Sequence, residues 1–189
     1  EGAIKEVSEL LDKLVKAVKT AEGASSGTDA IGEVVDNAAK AADKASVTGI
    51  AKGIKEIVEA AGGSEKLKAV AAATGENNKE AGKLFGKAGA DANGDSEAAS
   101  KAAGAVSAVS GEQILSAIVT AADEAEQDGK KPEEAKNPIA AAIGDKDGDA
   151  EFNQDGMKKD DQIAAAIALR GMAKDGKFAV KGNNEKEKA

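Results

Sequence analysis

The sequence predicts an all-α, multi-helix bundle spanning residues 1–189 as a single helical domain, and three observations predict it. Alanine supplies 43 of the 189 residues, and alanine enters a helix at no side-chain entropy cost. Apolar residues recur at alternating steps of three and four through several long segments, the spacing of one helical face. Turn formers, glycine above all, gather between those segments. With 33 Ile, Leu, Val and Phe residues in all, the core is expected to be thin and packed largely with alanine.

The first helix carries Ile4, Val7, Leu11, Leu14 and Val18 on one stripe, with Lys5, Glu9, Asp12, Lys16 and Lys19 on another face. It should end near Gly23, ahead of Ser25, Ser26 and Gly27. A weaker helix is predicted around Ile31, Val34, Val35 and Ala38, and a stronger one through Val47, Ile50, Ile54, Ile57 and Ala61, stopped by Gly62 and Gly63. Ser64 can cap a short helix with Leu67 and Val70, and 79–87 gives another short piece with Leu84 and Phe85. Ser96 is placed to cap an alanine-rich helix through Val109. Ser110 and Gln113 fit a capping box for a helix presenting Ile114, Ile118, Ala121 and Ala125. Pro132 suits a first helical turn, while Pro138 breaks or restarts a helix ahead of Ile139 and Ile143.

The most informative segment is 157–172. Residues 163–169 are apolar without interruption, so this helix is expected to lie inside the bundle with apolar neighbours all round. Asp160 and Asp161 near its start and Arg170 and Lys174 near its end carry the signs the helix dipole favours. Phe178 and Val180 alternate with polar residues at 177–181, as in a short strand or an extended tail. Six polar clusters, 24–33, 74–80, 89–97, 126–137, 144–156 and 182–188, read as exposed loops that contribute little to the core.

Composition removes most enzyme chemistry. There is no Cys and no His, hence no thiolate, disulfide, imidazole base or ordinary zinc site. A net charge of −8 with interspersed lysines speaks against nucleic-acid binding. No apolar run approaches the roughly 20 residues of a membrane span. Asp145, Asp147 and Asp149 occupy the first, third and fifth positions of a calcium loop, but Ala150 and Gly156 fail the sixth and twelfth, so a solvated acidic loop is expected. The glycines at 82, 86, 89 and 94 match no nucleotide-binding spacing. Glu133 with Glu134, and Asp160 with Asp161, are sequence neighbours that do not face each other across a cleft, and they are expected to be solvated. Lys13, Lys16 and Lys19, with Lys130, Lys131, Lys158 and Lys159, could contact an anionic polysaccharide, although interleaved acids favour a solvated mixed face. No cofactor and no metal are expected.

The stretch MKKDDQIAAAIALRGMAKDGKFAVK at 157–181 resembles the last invariable region of the VlsE family, the variable large (Vmp-like) surface lipoproteins of Borrelia spirochaetes. EGAIK at 1–5, KGIKEIVEAAGG at 52–63 and GEQILSAIV at 111–119 extend the likeness over essentially the whole chain. The resemblance implies the cassette portion of a longer, lipid-anchored outer-membrane protein, whose exposed loops change by cassette recombination so that host antibodies lose their target. Membrane attachment would then run through a lipid anchor absent from this chain. On that likeness the variable exposed positions are Ser25, Ser26, Thr28, Asp29, Asn77, Asn78, Asp91, Asn93, Asp95, Asp128, Lys130, Asp147, Asp149, Asn153, Asn183 and Asn184. The buried invariable helix holds Ile163, Ala164, Ala166, Ile167, Ala168 and Leu169. The alternative expectation is a surface adhesin binding host sulfated polysaccharide through its lysines.

Overall fold

The chain forms an all-α bundle with two short strands. The computed structural model describes residues 2–25, 30–37, 40–124 and 128–188. In order these are α1 (Gly2–Ala24), β1 (Val34–Val35), α2 (Lys44–Ala60), α3 (Ser64–Lys68), a 3-10 helix (Lys79–Leu84), α4 (Ser96–Ser107), α5 (Gly111–Ala121), α6 (Pro138–Ile143), a 3-10 turn (Asp155–Met157), α7 (Asp160–Met172), β2 (Phe178–Ala179) and α8 (Asn183–Lys186).

Side-chain caps set several of the helix starts. Asp43 accepts from the Ser46 N–H at 2.7 Å to open α2, and Asn137 accepts from the Ala140 N–H at 2.8 Å to open α6 with Pro138 in its first turn. At α5 both halves of the predicted box form: the Ser110 hydroxyl accepts from the Gln113 N–H, and the Gln113 side chain accepts from the Ser110 N–H. Each bond satisfies a donor that the first helical turn would otherwise leave open. Asp95, one residue before the predicted Ser96, caps α4.

Other expectations are corrected. Residues Val34 and Val35 form a strand, not a helix, and pair in parallel with Phe178 and Ala179. Two adjacent β-branched residues favour the extended backbone, and the alternating segment at 177–181 supplies the partner. Ala38 lies outside the described residues. Pro132 sits in a turn rather than a helix. The larger correction concerns α1, whose apolar stripe faces outward, with Ile4 77% and Val18 50% exposed. The helix contacts α2 through alanines instead: a Cβ added at Gly49 would lie 2.6 Å from the Ala24 Cβ, and one at Gly53 would lie 2.7 Å from the Ala21 nitrogen. Backbones this close require small residues, so the contact forms on the side carrying Ala17, Ala21 and Ala24. Ile4, Val7, Leu11, Val15 and Val18 are left exposed, while Leu14 is half-buried.

The core has two lobes joined by α7. One gathers Phe85, Phe152, Phe178, Met157 and Val180, and the other Val47, Ile50, Ile118, Ile139 and Ile143. Helix α7 gives Ile163 and Ala166 to the first and Ala165 and Leu169 to the second. All three phenylalanines of the chain meet edge to face: Phe85 lies 5.3 Å from Phe152 and 5.5 Å from Phe178 between ring centroids, an arrangement that adds favourable quadrupole contact to the buried area.

Candidate functional site: the polar loops and the helix beneath them

Helix α7 is held by charged side chains at both ends. Asp160 and Asp161, expected to be solvated, are 4% and 3% exposed. Asp161 accepts from the Ala73 N–H at 3.1 Å and from the Gln162 N–H at 3.0 Å, and Asp160 accepts from the Asn78 amide at 2.9 Å. The reason for this correction is that the unpaired donors of the 73–78 segment and of the first helical turn converge there, which makes burial of the carboxylates favourable. At the other end, Arg170 is fully buried. Its guanidinium donates to the carbonyls of Lys177 (2.9 Å), Ala142 (2.9 Å), Ile143 (3.2 Å) and Lys40 (3.0 Å), and lies 5.5 Å from the centre of the Phe85 ring. Among the described residues it has no ion-pair partner. Burial pushes its pKa down to about 10, so the group remains charged at neutral pH.

Ile163, Ala164, Ala166 and Leu169 are buried, at 1% exposure or less. Ile167 and Ala168 are only half-buried, which corrects the expectation of apolar neighbours on every side. Ile167 opens onto an apolar groove of about 390 Å³ with Val34, Ala99, Ala102, Val106 and Phe178 on its walls. The alanines of α4 are too short to close it.

Of the loop positions, Asn77, Asp91, Asn93, Asp128, Lys130, Asp147, Asn153, Asn183 and Asn184 are exposed, whereas Ser25, Asn78, Asp95 and Asp149 are half-buried. Ser26, Thr28 and Asp29 lie outside the described residues. Several of the half-buried positions bind neighbouring segments. Ser25 makes an antiparallel bridge with Ala173, and Asn93 is tied to Asp149 by two hydrogen bonds. Three clusters contradict the expectation that they add little to the core: Phe152 is fully buried in 144–156, Pro132, Ala135 and Asn137 are buried in 126–137, and Ala92 is buried in 89–97. Asn183 and Asn184 begin α8 rather than a loop.

The acidic triplet at 145–149 is occupied by protein donors. Asp145 accepts from the Asp147 N–H at 2.8 Å, Asp147 pairs with Lys146 at 2.9 Å, and Asp149 accepts from Asn93. Among the described residues no cluster of three or more metal-ligating side chains occurs. The lysines are interleaved with acids, as their sequence pattern suggests. Lys13 and Lys16 border a groove between α1 and α2 alongside Glu6, Glu9, Glu56 and Glu59, and Lys158 pairs with Asp155 at 2.9 Å.

The 89–97 and 182–188 clusters meet at the start of α4. Asp95 accepts from the Glu97 and Ala98 N–H groups at 3.1 and 3.0 Å and pairs with Lys181 at 3.2 Å, while Glu185 accepts from the Ser96 N–H at 2.9 Å. Burial raises the Asp95 pKa, but the Ala98 N–H and Lys181 outweigh it and hold the group below its ordinary value. The Ser96 N–H lowers that of Glu185. Depressed carboxylate values give stability that is present above the unfolded pKa and lost as pH falls through the folded one. Hydrogen exchange in the first turn of α4 is therefore expected to accelerate below about pH 4. Asp95→Ala, which removes the cap, is expected to cost about 1 kcal/mol, read from urea unfolding at neutral pH.

Sequence reasoning did not assign Arg170, Phe85 or Phe152 their central places. One signal was available: a single arginine among 26 basic residues and three phenylalanines in the chain are rare enough to suggest particular positions.

The fold and these loops define a helical scaffold that displays polar, glycine-rich segments around one sunken helix. No single helix among the described residues is long and apolar enough to cross a membrane. The chain belongs to the Borrelia lipoprotein family, whose model matches residues 1–189. It is similar to Variable large protein 4 of Borrelia hermsii, 40% identical over 184 residues that cover 95% of this chain and 52% of that protein. Variable large protein 17 of the same organism is 40% identical over 191 residues, covering 97% and 52%. The crystal structure of the Lyme disease variable surface antigen VlsE of Borrelia burgdorferi is 90% identical, with a TM-score of 0.96, and the match covers 100% of this chain and 64% of that one. The chain spans about half the length of the curated relatives it matches.

Proposed function

We propose that this chain is the exchangeable cassette portion of an antigenically variable, lipid-anchored outer-surface protein. Its loops change by recombination and so evade host antibody, while the helical frame persists; its role is display rather than catalysis. The observation that carries the reading is the contrast in exposure between α7 and its surroundings: Ile163, Ala164, Ala165, Ala166 and Leu169 are at most 1% exposed, whereas Asn77, Asp91, Asn93, Asp128, Lys130, Asp147, Asn153, Asn183 and Asn184 are open to solvent. Exposed loop residues other than Asn93, which is bonded to Asp149, tolerate substitution because few buried contacts depend on them, and the buried residues of α7 offer no surface for antibody. The outward apolar stripe of α1 fits a cassette that is covered by further helices in a longer protein, since soluble monomers rarely leave such a patch bare.

The test uses antibodies raised against a peptide of residues 163–169. They are expected to bind the urea-denatured chain and to ignore the native one, whereas antibodies raised against peptides of the exposed loops bind both. Equal binding of the 163–169 antibodies to native and denatured protein would remove the shielding on which the reading rests.

A further inference from the structure

We propose that Asn93 is a latent deamidation site and that its clamp on Asp149 keeps it unreacted while the chain is folded. Asn93 is the one asparagine in the sequence followed by glycine, and it is exposed. Gly94 has no side chain to shield its own backbone nitrogen. Once that nitrogen gives its proton to hydroxide, it attacks Cγ of Asn93; the Cγ–Nδ2 bond breaks, ammonia leaves and a five-membered cyclic imide remains. Water opens the imide at either carbonyl to give aspartate or iso-aspartate. One water is consumed, one ammonia is released and one negative charge is gained, with no oxidant or cofactor involved.

The fold opposes the first step. The Asn93 N–H donates to Asp149 Oδ1 at 2.6 Å, and its side-chain amide donates to the Asp149 carbonyl at 3.0 Å. On the other side of the reacting bond, the Gly94 carbonyl accepts from the Lys181 N–H at 2.8 Å, and a Cβ at 94 would strike the Ala179 carbonyl. Ring closure needs the amide to leave Asp149 and the backbone to turn, so it proceeds only through local opening. The reaction is one-way in effect. An amide that donated becomes a carboxylate that cannot, set beside a carbonyl and near the Asp149 carboxylate. The iso-aspartyl form also adds a carbon to the main chain beside a glycine with no room to move. Both changes unfasten 89–97 from 144–156.

The experiment incubates the folded chain at mildly alkaline pH and follows the peptide containing Asn93 by mass spectrometry, with iso-aspartate counted by methyltransferase labelling. The folded chain is expected to react about tenfold more slowly than the same chain in urea, the protection given by one hydrogen bond to a carboxylate and one to a main-chain carbonyl. Asp149→Ala, which removes the acceptor of the Asn93 N–H but keeps the main-chain carbonyl that holds its amide, recovers part of that factor, whereas Asp149→Asn, which keeps a side-chain acceptor oxygen, stays near the parent rate; thermal melts establish that both variants are folded. Asn93→Asp, the product itself, should exchange amide hydrogens faster at 89–97 and 144–156 and nowhere else. Equal rates in the folded chain and in urea, a folded Asp149→Ala that reacts at the parent rate, or an Asn93→Asp chain with unchanged exchange would each overturn the proposal.

Discussion

Replacing Arg170 with methionine is expected to destabilise the chain by about 3–5 kcal/mol. The side chain keeps its length and loses every donor, so the carbonyls of Lys40, Ala142, Ile143 and Lys177 all lose the guanidinium, and of these the Ile143 carbonyl still accepts from the Ala42 N–H at 2.8 Å. Each unpaired group costs on the order of 1–3 kcal/mol, and local adjustment recovers part of the sum. The loss of charge is a partial compensation, because burial already disfavours the guanidinium, as its lowered pKa records. Arg170→Lys should fall between, since one ammonium on a flexible stem can reach some of these carbonyls but cannot reproduce the planar fork. The readout is the urea midpoint together with a melting temperature lower by about 10 °C. A loss below about 1 kcal/mol would mean that water can replace the guanidinium at these carbonyls.

Phe152→Ala is expected to cost about 3–5 kcal/mol, the usual range for deleting a buried aromatic. The residue sits in one of the most polar stretches of the chain, yet its ring is fully buried and packs edge to face on Phe85. Its backbone N–H also donates to the Lys79 carbonyl at 2.9 Å. By contrast, Asn153→Ala, one residue on and exposed, should change stability by no more than about 0.5 kcal/mol. Measured side by side, the pair tests whether the 144–156 segment contains a fixed position among replaceable ones. Similar small effects from both would deny Phe152 that place.

The helices that could be read from sequence are those in which pattern and environment agree. The α2 stripe through Val47 and Ile50 is buried where its spacing predicts, the Ser110–Gln113 box forms as its residue types suggest, and the alternation at 177–181 becomes β2. Each signal is local. Failures occur where a distant partner decides. The spacing of Ile4, Val7 and Leu11 correctly gives a helix but not the side that packs, because Gly49 and Gly53 in α2 select the alanine side. Val34 and Val35 pair with a strand more than 140 residues away, which no window around them contains. Asp160 and Asp161 look like surface residues until the 73–78 segment is brought over them. In the loops, composition describes the average residue, and a lone Phe152 among aspartates and glycines does not alter that average. Of the sixteen loop positions named from sequence, the described ones are exposed or half-buried, and those that tie segments together include the half-buried ones and the exposed Asn93, a distinction that depends on tertiary hydrogen bonds.

The attachments at the two ends of α7 have a chemical property that bears on sequence change. Arg170 grips four main-chain oxygens, Asp161 receives main-chain N–H groups, and the Asp160 N–H is given to the Gly75 carbonyl. Amides and carbonyls of the backbone are common to every amino acid except for the N–H that proline lacks. A fastening made to them is therefore largely indifferent to the letters written at Lys40, Ala73 or Lys177, provided the chain can still follow the same path, whereas position 75 is held to glycine because a Cβ there would strike the Asp160 carboxylate. The same anchors could serve many different texts.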